Sequence, residues 1–171
     1  MQLITFLDIK NNVKQISEHI DDERIKNAII EAQEIDLSPI ISEQVYISIL
    51  EKEGTYSGKY KYLMEGCIYE FEGVKYELRG IKVALSYFAY ARIIKGIDNN
   101  VSRSGFLQKE NDYSIHAIIK ERLVAVNEAA GNGIFYAQKC LQYIQRNESD
   151  FPVVKPCTTS KKKYSINALG D

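Results

Sequence analysis

The chain has 171 residues, 45% of them hydrophobic and 26% charged, and its 22 basic and 23 acidic side chains leave a net charge of −1. This length suits one domain that buries about two-thirds of its unfolded surface without disulfide or metal staples. Nothing in that charge balance calls for DNA or a membrane surface as the main partner. No apolar run approaches the roughly 20 residues that span a bilayer. The stretch Met1 to Lys10 also lacks the basic-then-apolar layout of a signal peptide, so a cytosolic setting is expected. Cys67, Cys140 and Cys157 are odd in number, far apart and free of any C-x-x-C pair. They read as free thiols, with Cys67 and Cys140 expected to be buried.

Thr5 with Asp8, ahead of Ile9, Val13 and Ile16, predicts a capped first helix, and Asp21 opens a second. In that second helix Ile25, Ala28, Ile29 and Ala32 recur at three- and four-residue spacing, which gathers them on one stripe. Glu23, Lys26, Asn27 and Glu31 fall off it. Ser38 before Pro39 predicts a third helix carrying Ile41, Val45 and Ile49 and ending at Gly54, because proline at the first helical position forfeits no hydrogen bond. A short helix is expected over Tyr60 to Gly66.

The period then changes. Cys67, Tyr69 and Phe71 alternate with Ile68 and Glu70, and after Glu72-Gly73 the alternation resumes through Val74, Tyr76 and Leu78. This predicts a β-hairpin over about 67–78. Gly80 separates it from a helix with Ile81, Ala84, Leu85, Phe88 and Ala91, stopping at Gly96. The cluster Tyr87, Phe88 and Tyr90 covers more than one face of that helix, which fits packing against the hairpin or a subunit contact equally. Residues 98–112 are polar apart from Phe106 and Leu107 and predict a long loop, a feature that in compact domains is usually functional or disordered.

The last helix is expected from Ser114 to Arg146, with Ile115, Ile118, Ile119, Leu123, Val126, Ala130, Ile134, Ala137, Leu141 and Ile144 on its apolar side. At about 1.5 Å per residue it would reach about 50 Å. A compact domain of this size has a radius of gyration of about 16 Å, so such a helix would span or overhang it. Gly131 and Gly133 mark a kink or a close helix crossing. Pro152 and Pro156 end the helical part, and the remainder holds too little apolar surface to order alone. The expected organisation is therefore a helical domain over 1–150 and an extended C-terminal arm over 151–171. The fold class is mainly α: a helical bundle with one long C-terminal helix and a small β-hairpin.

Motifs for catalysis are absent from the sequence. His19 and His116 lie in no metal-ligand spacing, and no G-x-G-x-x-G, phosphate loop or G-x-S-x-G elbow occurs. Asp21-Asp22 sit where helix caps prefer carboxylates, and Glu51 and Glu53 flank Lys52 on an exposed helix end. No catalytic residue, cofactor or metal is assigned. Lys161, Lys162 and Lys163 beside Tyr164 read as a solvated tail, or one that docks on an acidic protein surface, ahead of a phosphate contact.

Four segments, taken in order, carry a resemblance: AIIEAQEIDLSPII, GVKYELRGIKVALSYFAYARII, NNVSRSGFLQKENDYS and NESDFP. Over about Thr5 to Pro152 the chain resembles head-tail connector proteins of tailed bacteriophages, in particular the adaptor or ring proteins of phages of Bacteroidetes bacteria, including the crAss-like group. The resemblance implies a helical bundle with a small hairpin, copies arranged in a ring of about twelve below the portal, and loops or arms that reach neighbouring rings. The implied partners are further copies of this chain, the portal, other neck or tail ring proteins, and passing genomic DNA bound without sequence specificity. The implied location is the virion neck, with the host cytoplasm during assembly. The candidate subunit or portal contacts on the loop and arm are Arg103, Phe106, Leu107, Phe151, Lys161, Lys162, Lys163 and Tyr164. Two rival readings are a helical protein-binding module without ring symmetry and an enzyme with an unrecognised polar pocket.

Overall fold

The computed structural model describes residues 1–13, 20–96, 99–102, 105–108 and 119–152. Helix α1 (Phe6–Asn12) starts with a reciprocal cap: the Thr5 hydroxyl accepts from the Asp8 N–H, and the Asp8 carboxylate accepts from the Thr5 N–H at 2.7 Å. Helix α2 (Asp22–Glu31) is capped by Asp21, whose side chain accepts from the Glu23 N–H, and it buries Ile25, Ala28 and Ile29.

α2 then widens into a π-type turn over Ala32–Leu37 and continues as α3 (Ser38–Ile41). The single helix expected from Ser38 to Gly54 is instead broken at Ser42, which takes φ 77° and caps a separate helix, α4 (Glu43–Glu51). A positive φ on a non-glycine residue costs energy. Here it lets Ile41, Val45 and Ile49 all reach the core, where each is fully buried. In the wide turn, the buried Gln33 side-chain oxygen accepts from the Leu3 N–H at 2.6 Å, and its amide donates to the Met1 carbonyl. This ties the first residues to the body and helps bury Leu3 and Ile4.

Helix α5 (Gly58–Glu65) leads into strands β1 (Cys67–Phe71) and β2 (Val74–Leu78), an antiparallel hairpin in which Cys67 faces Leu78 and Tyr69 faces Tyr76. Its two-residue turn places both Glu72 (φ 51°) and Gly73 (φ 76°) in the left-handed region, the conformation whose twist matches the strands. At the far end a Cβ on Gly80 would lie 2.5 Å from the Met64 carbonyl oxygen, so only glycine lets the chain leave the hairpin this close to α5.

Helix α6 (Ile81–Gly96) is apolar around most of its circumference because it is the central post. It packs against α1, α2, the wide turn, α5 and α7 (Ile119–Arg146), and α7 is its most extensive partner. The expected loop over 98–112 holds a second antiparallel pair, β3 (Asn99–Ser102) and β4 (Gly105–Gln108), with Val101 opposite Phe106. Residues 109–118 lie outside the described residues, and so does the expected start of the last helix at Ser114. The result is a mainly helical domain with a small hairpin and a long helix near its C-terminal end.

Candidate assembly surface

The line α7 buries is rotated from the one periodicity suggests. Ala129, Gly133, Ala137, Cys140, Tyr143 and Ile144 face inward. Leu123 and Ile134, expected on the apolar side, are 57% and 44% exposed. The reason is the α6 contact. The Phe88 ring sits where a Cβ on Gly133 would fall, 2.6 Å from its Cδ1, so small residues on α7 admit the large ones of α6. Tyr87 stacks on Tyr136 with ring centroids 5.6 Å apart. The pairs Phe88–Gly133 and Tyr87–Tyr136 run in opposite chain directions, as in antiparallel helices. The aromatic cluster of α6 thus packs against α7 and not against the hairpin.

Two apolar features remain at the surface beside this contact. One is a ridge on the outward side of α7, where Val124 and Phe135 lie three turns apart with Gly131 between them; Lys139 Nζ stands 5.6 Å from the centroid of the Phe135 ring. The other is a groove of about 350 Å³ between α3, α6 and α7, walled by Ile40, Ala91, Val126, Ala130 and Ile134 over Phe88. Its rim carries Lys95 and the pair Arg92–Asp36. Arg92 is held on both sides of its guanidinium plane edge: Nε and Nη2 donate to Asp36 at 2.7 and 2.9 Å, and Nη1 donates to Glu31 at 2.6 Å. Those bonds, Asp36 first, raise the Arg92 pKa above its already high value and keep it charged.

The C-terminal end of α7 is fastened to the first hairpin. The Arg146 guanidinium lies 3.8 Å from the Tyr76 ring centroid and 5.2 Å from that of Phe71, and it donates to the Tyr69 hydroxyl at 2.8 Å. Tyr143 meets Tyr69 edge-on at 4.9 Å, and burial pushes its phenol pKa up. Burial likewise holds the Cys140 thiol up at about 12, neutral and inert. Cys67 is half-buried, not fully buried as expected, and burial again raises its pKa.

Of the sequence-derived contact residues, Phe151 is corrected by the structure. It is buried, with its ring 4.9 Å from Tyr60 and 6.1 Å from Tyr143, so it closes the core and is not part of a free arm. Phe106 and Leu107 lie on β4, where only the backbone is described. Arg103, Lys161, Lys162, Lys163 and Tyr164 lie outside the described residues, as do His19, His116 and Cys157. Asp21 serves as the α2 cap, as expected. Among the described residues, no group of three or more His, Cys, Asp or Glu side chains could hold a metal ion, and no helix is long and apolar enough to cross a membrane. Sequence reasoning did not single out Val124 or Phe135. Their signal was the eleven-residue spacing that returns them to one helix face, which the stronger 3.6-residue core stripe obscured.

Architecture and surface define a mainly α domain built on a central buried helix, with a long outer helix that keeps apolar residues on its solvent side. Residues 37–164 match DUF6712, described as a family of unknown function, and the chain belongs to that family. No curated protein and no solved structure matches the chain.

Proposed function

We propose that this chain is a structural virion protein without catalytic activity, a subunit of a ring-shaped head-tail adaptor that sits between portal and tail and encloses the DNA channel. The observation that carries the reading is α7. It is a rod of 28 residues, about 42 Å long, anchored along one side to α6 and at its end to the hairpin, with large apolar side chains left on its outer side. Large exposed apolar residues on a rigid element, here Leu123 and Val124 toward one end and Ile134 and Phe135 three turns on, suit contact with neighbours. The resemblance of four sequence segments, taken in chain order, to phage connector proteins supports the same reading, and the helical body with a hairpin and a long helix near its C-terminal end agrees with the architecture that resemblance implies.

In this reading the chain binds further copies of itself in a ring of about twelve, the portal, and other neck or tail rings, while DNA passes without base-specific contacts. Arg103, Phe106 and Leu107 in the 98–112 segment, and Lys161, Lys162, Lys163 and Tyr164 near the C-terminal end, belong to the segments that reach neighbouring rings. The protein works in the virion neck after assembly in the host cytoplasm. Native mass spectrometry and negative-stain imaging of the purified chain with its portal test this. A cyclic oligomer seated on the portal is expected. Persistent one-to-one binding with no ring would make the chain a helical protein-binding module without ring symmetry.

A further inference from the structure

Charge is spread unevenly along a chain whose total is only −1. Residues 21–53, which build α2 through α4, hold nine acidic and three basic side chains, whereas residues 153–171 hold four basic and one acidic. Within the acidic part, α4 keeps one outward face. Glu43, Ile47 and Glu51 recur every four residues, so they share a side of the helix at intervals of about 6 Å. Both carboxylates are exposed, and Ile47 between them is 46% exposed. Neither Glu43 nor Glu51 forms an ion pair or a side-chain hydrogen bond with another described residue. The adjacent cation, Lys52, is turned aside, its Nζ 5.0 Å from the Tyr60 ring centroid.

The path of the chain brings the opposite charge to this face. Phe151 rests on Tyr60 with ring centroids 4.9 Å apart, and the Tyr60 hydroxyl donates to Ser48 Oγ on α4 at 3.0 Å. The chain therefore leaves the body at Pro152 beside α4. Eight residues, 153–160, separate Pro152 from Lys161. A linker of that length typically spans about 16 Å and at most about 30 Å. Helix α4 is about 13 Å long, so its whole outer face is within reach of the lysines. A linker that matches its span holds the two sites at an effective concentration in the millimolar range, above that of a second copy in dilute solution. Reach and charge together select the chain's own tail as the occupant.

We infer that the Lys161–Lys163 run docks on α4 of the same chain, the ammonium groups meeting Glu43 and Glu51 and the lysine stems lying along Ile47. In an extended chain Lys161 and Lys163 fall on one side, about 7 Å apart, and their long side chains make up the difference from the roughly 12 Å between the two carboxylates. The pairs are exposed, so the contact weakens as salt rises. It does not depend on the adaptor reading. Within that reading it withholds the lysine run until a neighbouring ring competes for it.

Paramagnetic relaxation enhancement in the full chain tests it. Ser165→Cys carries a nitroxide in a background of Cys67→Ser and Cys157→Ser, since buried Cys140 is inert. At low ionic strength the backbone amides from Glu43 to Glu51 should lose signal, those at the Glu43 end included. The signal should return in about 1 M salt, where the Debye length is about 3 Å, and in a chain that also carries K161E, K162E and K163E. Adding Glu43→Lys and Glu51→Lys to that chain should bring the loss back, with circular dichroism establishing that each variant is folded. The inference is overturned if α4 keeps its signal at low salt, if the loss survives reversal of the lysines, if it centres on another surface, or if the charge swap leaves the signal whole. Mixing an isotope-labelled chain that lacks the nitroxide with an unlabelled chain that bears it separates the copies. Loss of α4 signal in that mixture would place the tail on another copy and overturn the contact; an unchanged signal there is the expected result. None of these outcomes depends on ring formation, so the adaptor reading stands or falls separately.

Discussion

Gly131 and Gly133 stand two residues apart on α7 in opposite surroundings, and replacing each by alanine separates backbone propensity from packing. At Gly131 the new methyl meets nothing within 4 Å, so the change acts through helix propensity alone. Gly131→Ala should stabilise the monomer by about 1 kcal/mol, raising the unfolding midpoint by about 2–4 °C for a domain of this size. At Gly133 the same methyl would lie 2.6 and 2.7 Å from Phe88 Cδ1 and Cε1 and 3.0 Å from Cγ. Carbon atoms in contact rest at about 3.5–4.0 Å, so the ring must retreat by about 1 Å. Phe88 is 4% exposed and part of the main core cluster, so there is little space to retreat into. Overpacking of this kind costs about 1–3 kcal/mol, offset by the same propensity gain of about 1 kcal/mol. The net effect of Gly133→Ala is a loss of up to about 2 kcal/mol. Urea unfolding of both variants, in solutions dilute enough that copies do not associate, reads the two values directly. If Gly133→Ala stabilises as much as Gly131→Ala, the close approach of Phe88 to α7 is wrong.

Burial holds the Cys140 thiol at about 12, above its unfolded value of about 8.5, so the folded state binds the proton more tightly. The stabilising contribution is complete below about pH 8.5 and fades as pH rises toward 12. Peptide mass spectrometry after alkylation at pH 8 should therefore find Cys140 modified only as fast as the chain unfolds, and rapid native labelling would contradict its burial. Phe151→Ala should cost about 3–5 kcal/mol, because it empties the space between Tyr60 and Tyr143. A chain ended after Pro152 keeps that ring and should unfold within about 0.5 kcal/mol of the full chain in urea, while incorporating poorly into assembled particles.

Local signals were legible wherever neighbours in sequence are also neighbours in space. The Thr5–Asp8 cap, the Asp21 cap, the apolar stripe of α2 and the alternation of β1 and β2 each depend on contacts within a few residues, and each stands where residue pattern places it. The Glu72-Gly73 turn was readable for the same reason. The helix break at Ser42 was not, because nothing in Ser38 to Gly54 forbids a continuous helix. The break appears once α3 must pack on α7 while α4 turns its own face to the core. The β3–β4 pair was hidden by polar composition, since residues such as Asn99 and Asn100 are poor strand formers on propensity alone.

The same distinction decides the assembly surface. Periodicity establishes that α7 is a long amphipathic helix, because any 3.6-residue repeat of apolar side chains makes a stripe. The stripe is wider than one helix contact can cover, so its sequence leaves open which part is buried. That choice came from α6, whose Phe88 and Tyr87 require small or flat partners and find them at Gly133 and Tyr136. Once the helix is turned to seat those rings, Leu123, Ile134 and Phe135 are left outside, and Phe151, which pattern placed on an arm, is drawn in against Tyr60 and Tyr143. Local chemistry thus sets the kind of each element, and the shape of the partner it packs on sets which of its faces remains for another molecule.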